Sequence, residues 1–188
     1  MLGDEILLEE YPFQLIARIE LKTDKDGIPI EYHPAKRYEN SRSLQLNAHG
    51  NKSFCHVALK PYGIPDLSPY RAGVYAIAGA SLKYIGRTHT SLMQRFNGYC
   101  SIQPRNCYQG GQSTNCHVNN SVLEDSKAGE MLWVCFYESE QANDLEAYFL
   151  NSLAATGRRP PWSISIPSHT SYLGLFQGTY KTELSLSK

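Results

Sequence analysis

From Phe13 to Leu21 apolar and polar positions largely alternate, the period of a half-buried strand. Asp24-Lys25-Asp26-Gly27 then offers a turn, and Ile28-Pro29-Ile30-Glu31-Tyr32 reads as the returning strand, so residues 12–32 are expected to form a hairpin. Residues 33–53 are mostly polar without a helical period and are read as a loop. Phe54–Lys60 is a further strand candidate, after which Pro61, Gly63, Pro65 and Pro69 mark irregular chain. Gly73–Ala78 and Leu82–Gly86 read as two strands joined by the tight turn Gly79-Ala80-Ser81, with Gly73 and Gly86 taken as turn residues. A helix follows from about Ser91, where Ser91-Leu92-Met93-Gln94 has the form of a capping box, and its spacing puts Arg95 and Tyr99 on one face. After a polar, Gly- and Asn-rich insertion over 100–116, a second helix is expected from about His117 to Asp125. Met131–Tyr137 is an apolar run suited to the buried middle of a sheet. A last helix starts at Ser139 and runs to about Ala155. Its apolar positions Ala142, Leu145, Phe149 and Leu153 fall at helical spacing and leave Glu146 at their margin, with Gly157 as the stop.

The chain has 188 residues, enough for one domain with an appended subdomain. No apolar run approaches the roughly 20 residues of a membrane span. The start, Met1-Leu2-Gly3-Asp4-Glu5, lacks the basic and apolar stretches of a secretory signal, so a cytoplasmic protein is expected, with no membrane partner. Five cysteines, an odd number, point to reduced thiols. Cys100, Cys107 and Cys116, followed by His117, raise the question of zinc, but no close Cys-x-x-Cys pair is present. Small buried apolar residues are the expectation for them.

Charge changes the picture more than composition does. The formal net charge is zero, yet residues 1–31 carry eight acidic against three basic side chains and residues 124–188 carry eight against five. Residues 32–123 carry ten basic side chains and only two acids, Glu39 and Asp66, a local balance of +8. A phosphate backbone repels carboxylates and rewards clustered Lys and Arg, so this is the segment to lay on nucleic acid. A solvated basic face without a ligand is the plainer reading of the same asymmetry.

Set in order, these elements resemble the GIY-YIG nuclease superfamily. Its name is spelt here by Gly73-Val74-Tyr75 on one strand and Tyr84-Ile85-Gly86 on the next; Arg95 and Tyr99 match its helical arginine and the His or Tyr one turn on. Glu146 matches its later glutamate, and Pro160-Pro161-Trp162-Ser163 its ending, with Ser163 where asparagine is usual. The resemblance covers roughly residues 71–163. It implies an α+β fold, a small core of a three-stranded antiparallel sheet flanked by helices. Residues 1–70 would form a β-rich N-terminal extension that could recognise DNA, residues 71–165 the core with an insertion at about 100–120, and residues 166–188 a C-terminal tail.

The implied activity is hydrolysis of phosphodiester bonds in double-stranded DNA with one divalent ion. Mg²⁺, with Mn²⁺ able to substitute, would be held by Glu146, since Mg²⁺ takes one or two carboxylates and keeps its other waters. Tyr75 would deprotonate the attacking water, its phenol made more acidic by the neighbouring cations Lys83 and Arg95, with Tyr99 adding a hydroxyl. Tyr84 would orient water or phosphate, and Arg95 would clamp the phosphate. Arg87, His117, Asn119, Arg37, Arg42 and Lys52 are the expected DNA contacts, His117 and Asn119 as residues at a helix start. A site-specific enzyme of the type II restriction kind is the leading reading, as a homodimer or homotetramer, since two strands need two active sites. The alternatives are a phage-type nicking nuclease of looser specificity and a catalytically silent DNA-binding protein, the second favoured by Ser163.

Overall fold

The structure is a computed structural model that describes residues 4–38 and 44–163. The chain divides into two compact units, each assembled from separated segments. One takes the described residues up to Ala17, then Pro61–Leu92, then the described residues from Trp133 onward; the other takes Arg18–Lys60 and Met93–Leu132. The consecutive division expected from the sequence, at about residue 70, follows different lines. No helix among the described residues is long and apolar enough to cross a membrane.

The first unit is built on an antiparallel sheet. Strands β1 (Glu5–Leu8), β2 (Tyr11–Leu21), β6 (Gly73–Ala78), β7 (Leu82–Thr88) and β8 (Trp133–Glu138) lie in the order β1-β2-β8-β6-β7; the end of β2 from Arg18 on, and β5 (Val57–Pro61) up to Lys60, which pairs with β2, are counted with the second unit. β6 is antiparallel to both its neighbours, with Tyr75 opposite Gly86 and Phe136. Every residue of β6 is buried, which is why this strand is apolar throughout and does not alternate. Pleating sends Val74, Ala76 and Ile85 to the face where helix α3 (Ala142–Ala155) packs, and there they join Phe13, Phe149, Leu150 and Leu153 in one core. Gly157, at φ +71°, ends α3: the Gly157 amide donates to the Ala154 carbonyl and the Arg158 amide to that of Leu153, at 3.0 and 2.7 Å.

β1 was not foreseen. It forms a hairpin with β2 through a two-residue turn, Glu9-Glu10, whose φ values of 49° and 71° are those of a type I′ turn. The hairpin expected over residues 12–32 forms only in part. Gly27 takes the left-handed turn position and the Ile30 amide donates to the Lys22 carbonyl at 2.9 Å. Glu31–Tyr32 (β3), however, pairs with Phe54–Cys55 (β4), not with β2.

In the second unit, β3 and β4 lie with helices α1 (Leu92–Cys100) and α2 (Ser113–Lys127). Its core joins Phe54, Ile102, Cys107, Tyr108 and Cys116. α2 packs on β4, and the clasp between them is Asn119, which is fully buried. Asn119 accepts from the Cys55 amide at 3.0 Å and donates to the carbonyls of Cys55 and Tyr99 at 2.8 and 2.6 Å. Four cysteines are buried and Cys100 is half-buried. Burial pushes the Cys55, Cys116 and Cys135 thiols up to about 12, so they are inert small apolar groups at neutral pH.

Candidate active site

The site in the first unit begins with a glycine. Tyr75 is fully buried and Tyr84 nearly so, and their ring centroids lie 6.1 Å apart on the face of the β6–β7 hairpin opposite Val74. A Cβ on Gly86 would stand 2.6 Å from Tyr75 Cζ and 2.8 Å from Tyr84 Cε1, and would also meet the Tyr75 hydroxyl. Gly86 lies inside β7, and neither it nor Gly73 has a positive φ. The expectation that both are turn residues is therefore corrected: they are glycines because other atoms occupy the volume of a side chain. At Gly73 those atoms include the Phe136 ring, 3.0 Å from the Cβ position at Cε1.

The next residue along β7 carries the charge. Arg87 pairs across to Val74, so its side chain leaves from the face on which α3 packs, and its guanidinium makes an ion pair with the Glu146 carboxylate. Glu146 is 13% exposed and Arg87 39%. Tyr75 over Gly86 and the Arg87–Glu146 pair are thus anchored on consecutive residues of an edge strand of the sheet. Lys83, half-buried on the same strand, accepts the Trp162 amide at its carbonyl at 3.0 Å, which ties Pro160-Pro161-Trp162-Ser163 back to the hairpin. Ser163 is buried, and its hydroxyl has no hydrogen-bond partner among the described residues.

The second unit holds Arg95 and Tyr99. As their spacing requires, they share a face of α1: the Arg95 guanidinium carbon lies 4.6 Å from the centroid of the Tyr99 ring, which is buried. Asn115, not foreseen from the sequence, accepts a long hydrogen bond from Arg95 at 3.5 Å and donates to Gln112 at 2.5 Å. Its amide nitrogen lies 2.7 Å from where a Cβ on Gly98 would be, so Gly98 in mid-helix makes room for the residue that steadies Arg95. That unexplained helical glycine is the one signal that could have pointed to Asn115.

The expected DNA contacts fare unequally. Arg37, in the 3₁₀ turn Pro34–Tyr38, and Lys52 are exposed; Arg42 lies outside the described residues. α2 begins at Ser113, four residues before His117, so His117 and Asn119 sit within the helix and not at its start. His117 is half-buried with its ring centroid 4.5 Å from that of His49, whose imidazole is held below its ordinary pKa by burial and by Lys52. Asn119 is spent on the β4 clasp, where no nucleic acid reaches it. Arg87 is engaged with Glu146.

Among the described residues no three His, Cys, Asp or Glu side chains are grouped to hold a metal. The Glu146 carboxylate is a hard oxygen donor, of the kind that suits Mg²⁺, which takes one or two carboxylates and keeps its other waters. No family model and no curated protein matches the chain. Among solved structures, a mutant of EndoII from bacteriophage T4 is similar, at 25% identity over 71% of this chain and 100% of that one, with a TM-score of 0.35. A likeness that loose carries neither fold nor activity across, so the functional case rests on the residues themselves.

Proposed function

We propose that the chain is a divalent-metal-dependent endonuclease that hydrolyses double-stranded DNA at defined sites, as a type II restriction enzyme does. The observation that carries this is that Gly86 and Arg87, consecutive on β7, anchor a buried tyrosine pair on one face of the hairpin and the Arg87–Glu146 ion pair on the other. Two tyrosines, a cation and a carboxylate anchored around consecutive strand residues are more than packing asks of that hairpin, and the tyrosines and the carboxylate are residues of the GIY-YIG resemblance.

In this reading Glu146 would hold a Mg²⁺ ion, which would supply Lewis-acid chemistry. Tyr75 takes the proton of the attacking water at its hydroxyl oxygen. Its buried setting excludes competing solvent, and Lys83 is assigned as a cationic helper from the sequence alone. Tyr84 orients water or phosphate through its own hydroxyl. Arg95 is assigned to the phosphate from the sequence alone; within its own unit Tyr99 lies beneath its guanidinium and Asn115 beside it. Arg37 and Lys52 contact the DNA backbone, and Arg42 and His117 are assigned there from the sequence alone. Activity as a homodimer or homotetramer belongs to the same proposal.

Incubating the protein with plasmid in Mg²⁺ or in EDTA tests this directly. Discrete fragments in Mg²⁺ are the expected result; nicked circles would favour the phage-type enzyme. Failure to cut in Mg²⁺ across varied DNA would leave the silent DNA-binding protein, which Ser163 favours. Glu146→Ala is expected to keep DNA binding and lose cleavage by a factor of 10² or more. A Glu146→Ala protein that cuts at the wild-type rate would remove the metal from this site.

A further inference from the structure

The nuclease reading gives Arg87 only a general DNA contact, yet Arg87 is the cation seated on Glu146. We propose that Arg87 is an exchangeable counter-ion: it holds the Glu146 carboxylate while DNA is absent, competes there with the divalent cation, and turns to an incoming phosphate. Metal binding and DNA binding are thereby coupled. The proposal rests on the nuclease reading and adds a regulation of that same site.

Three observations carry it. Glu146 is mostly buried, and a carboxylate taken out of water needs a counter-charge, which Arg87 supplies. Arg87 is 39% exposed, so its guanidinium keeps access to solvent and to whatever arrives from solvent. A guanidinium fork fits two carboxylate oxygens or two phosphate oxygens equally, so moving from one to the other costs it no hydrogen-bonding geometry. Charge balance then couples the two ligands. The Arg87–Glu146 pair is neutral, so a dication entering alone leaves two uncompensated positive charges in a largely buried place. A phosphodiester brings the missing anion and gives Arg87 a new partner. By linkage, DNA must tighten the metal by the factor that the metal tightens DNA. A residue that only oriented Glu146 for the metal would act with the opposite sign, since removing it would weaken metal binding.

The test is Mn²⁺ titration of the full chain without DNA, with free Mn²⁺ followed by electron paramagnetic resonance. Arg87→Gln is expected to bind Mn²⁺ about tenfold more tightly than wild type. Arg87→Lys, which keeps the charge and loses the fork, should fall between them, and Glu146→Gln should lose the site. In wild type, adding a short duplex should tighten Mn²⁺; in Arg87→Gln that gain should shrink. Equal or weaker Mn²⁺ binding by Arg87→Gln, with the site still lost in Glu146→Gln, overturns the exchange and leaves the nuclease reading standing. If Arg87→Gln does not fold, Arg87→Lys decides by the same comparison with wild type. Identical titrations for wild type, Arg87→Gln and Glu146→Gln would remove Glu146 as a metal ligand and take both readings down together.

Discussion

Adding one methyl group at Gly86 is the smallest change that separates packing from chemistry in this protein. The hydrogen replaced faces Tyr75 and Tyr84, and a Cβ there would need one or both rings to move. Both are buried, so neither has free space to move into, and overpacking of this kind costs about 1–3 kcal/mol. A displacement of about 1 Å in a general base costs on the order of 10² in rate. Gly86→Ala should therefore fold with a lowered melting temperature and cut DNA far more slowly, read by thermal melts beside Mg²⁺-dependent cleavage. A folded Gly86→Ala protein with wild-type cleavage would mean that the tyrosine pair is core and nothing more. At this scale the sequence was legible for place in the fold: Tyr75 and Tyr84 stand on paired strands and Glu146 on the last helix, as their spacing required. It misled where a polar residue serves the interior. Asn119 looks like a base-reading side chain, and nothing local to it reveals that the amides and carbonyls of a strand 64 residues earlier would need its hydrogen bonds.

Elements whose order is written locally were read well. β6, β7, β8 and α3 have their own period, their own turn or stop, and neighbours close in the chain. β1 was missed because its turn contains no glycine or asparagine: Glu9 and Glu10 both stand in the left-handed region, which L residues avoid at roughly 1–2 kcal/mol each. Part of that cost is offset by an anchor. The Glu9 side chain is 1% exposed and one oxygen accepts from Arg158 at 3.0 Å, just past the glycine stop of α3, so the hairpin tip is pinned to the end of the helix. The pair is shielded enough that cutting it on one side leaves a buried charge, so Arg158→Ala should destabilise the protein by about 3–5 kcal/mol. Glu10 is exposed and meets only the backbone penalty, so Glu10→Gly should stabilise by about 1 kcal/mol. Denaturant unfolding of the two variants measures both effects. Opposite signs are the expected result, and a Glu10→Gly protein less stable than wild type would show that the Glu10 side chain supports the turn. The early start of α2 has a similar origin: Ser113-Thr114-Asn115 reads as loop, and what makes it helix is tertiary, through the buried Asn115.

At the scale of the whole molecule, segments that adjoin in sequence part company. The basic stretch over 32–123 is shared between units, since residues 61–92 belong with the β6–β7 hairpin while 32–60 and 93–123 belong with α1 and α2. Contact patterns that join separated segments leave no period in the sequence, which is why consecutive domains were the natural reading. Charge, unlike contact, is legible without a fold. Exposed Arg37 and Lys52 stand in a part of the chain poor in carboxylates, the arrangement that binds a polyanion by releasing its counter-ions. Each phosphate neutralised on duplex DNA contributes about 0.9 to the slope of log affinity against log salt. In EDTA, where no cutting occurs, the Arg37→Ala/Lys52→Ala pair should therefore bind a duplex more weakly and lower that slope by roughly 2. Glu146→Ala should not lower the slope, because it removes no phosphate contact. Fluorescence anisotropy over a salt series reads both. If the double variant kept the wild-type slope, the DNA would have to be engaged by other cations of the chain, and the polar segment around Arg37 and Lys52 would revert to a solvated surface.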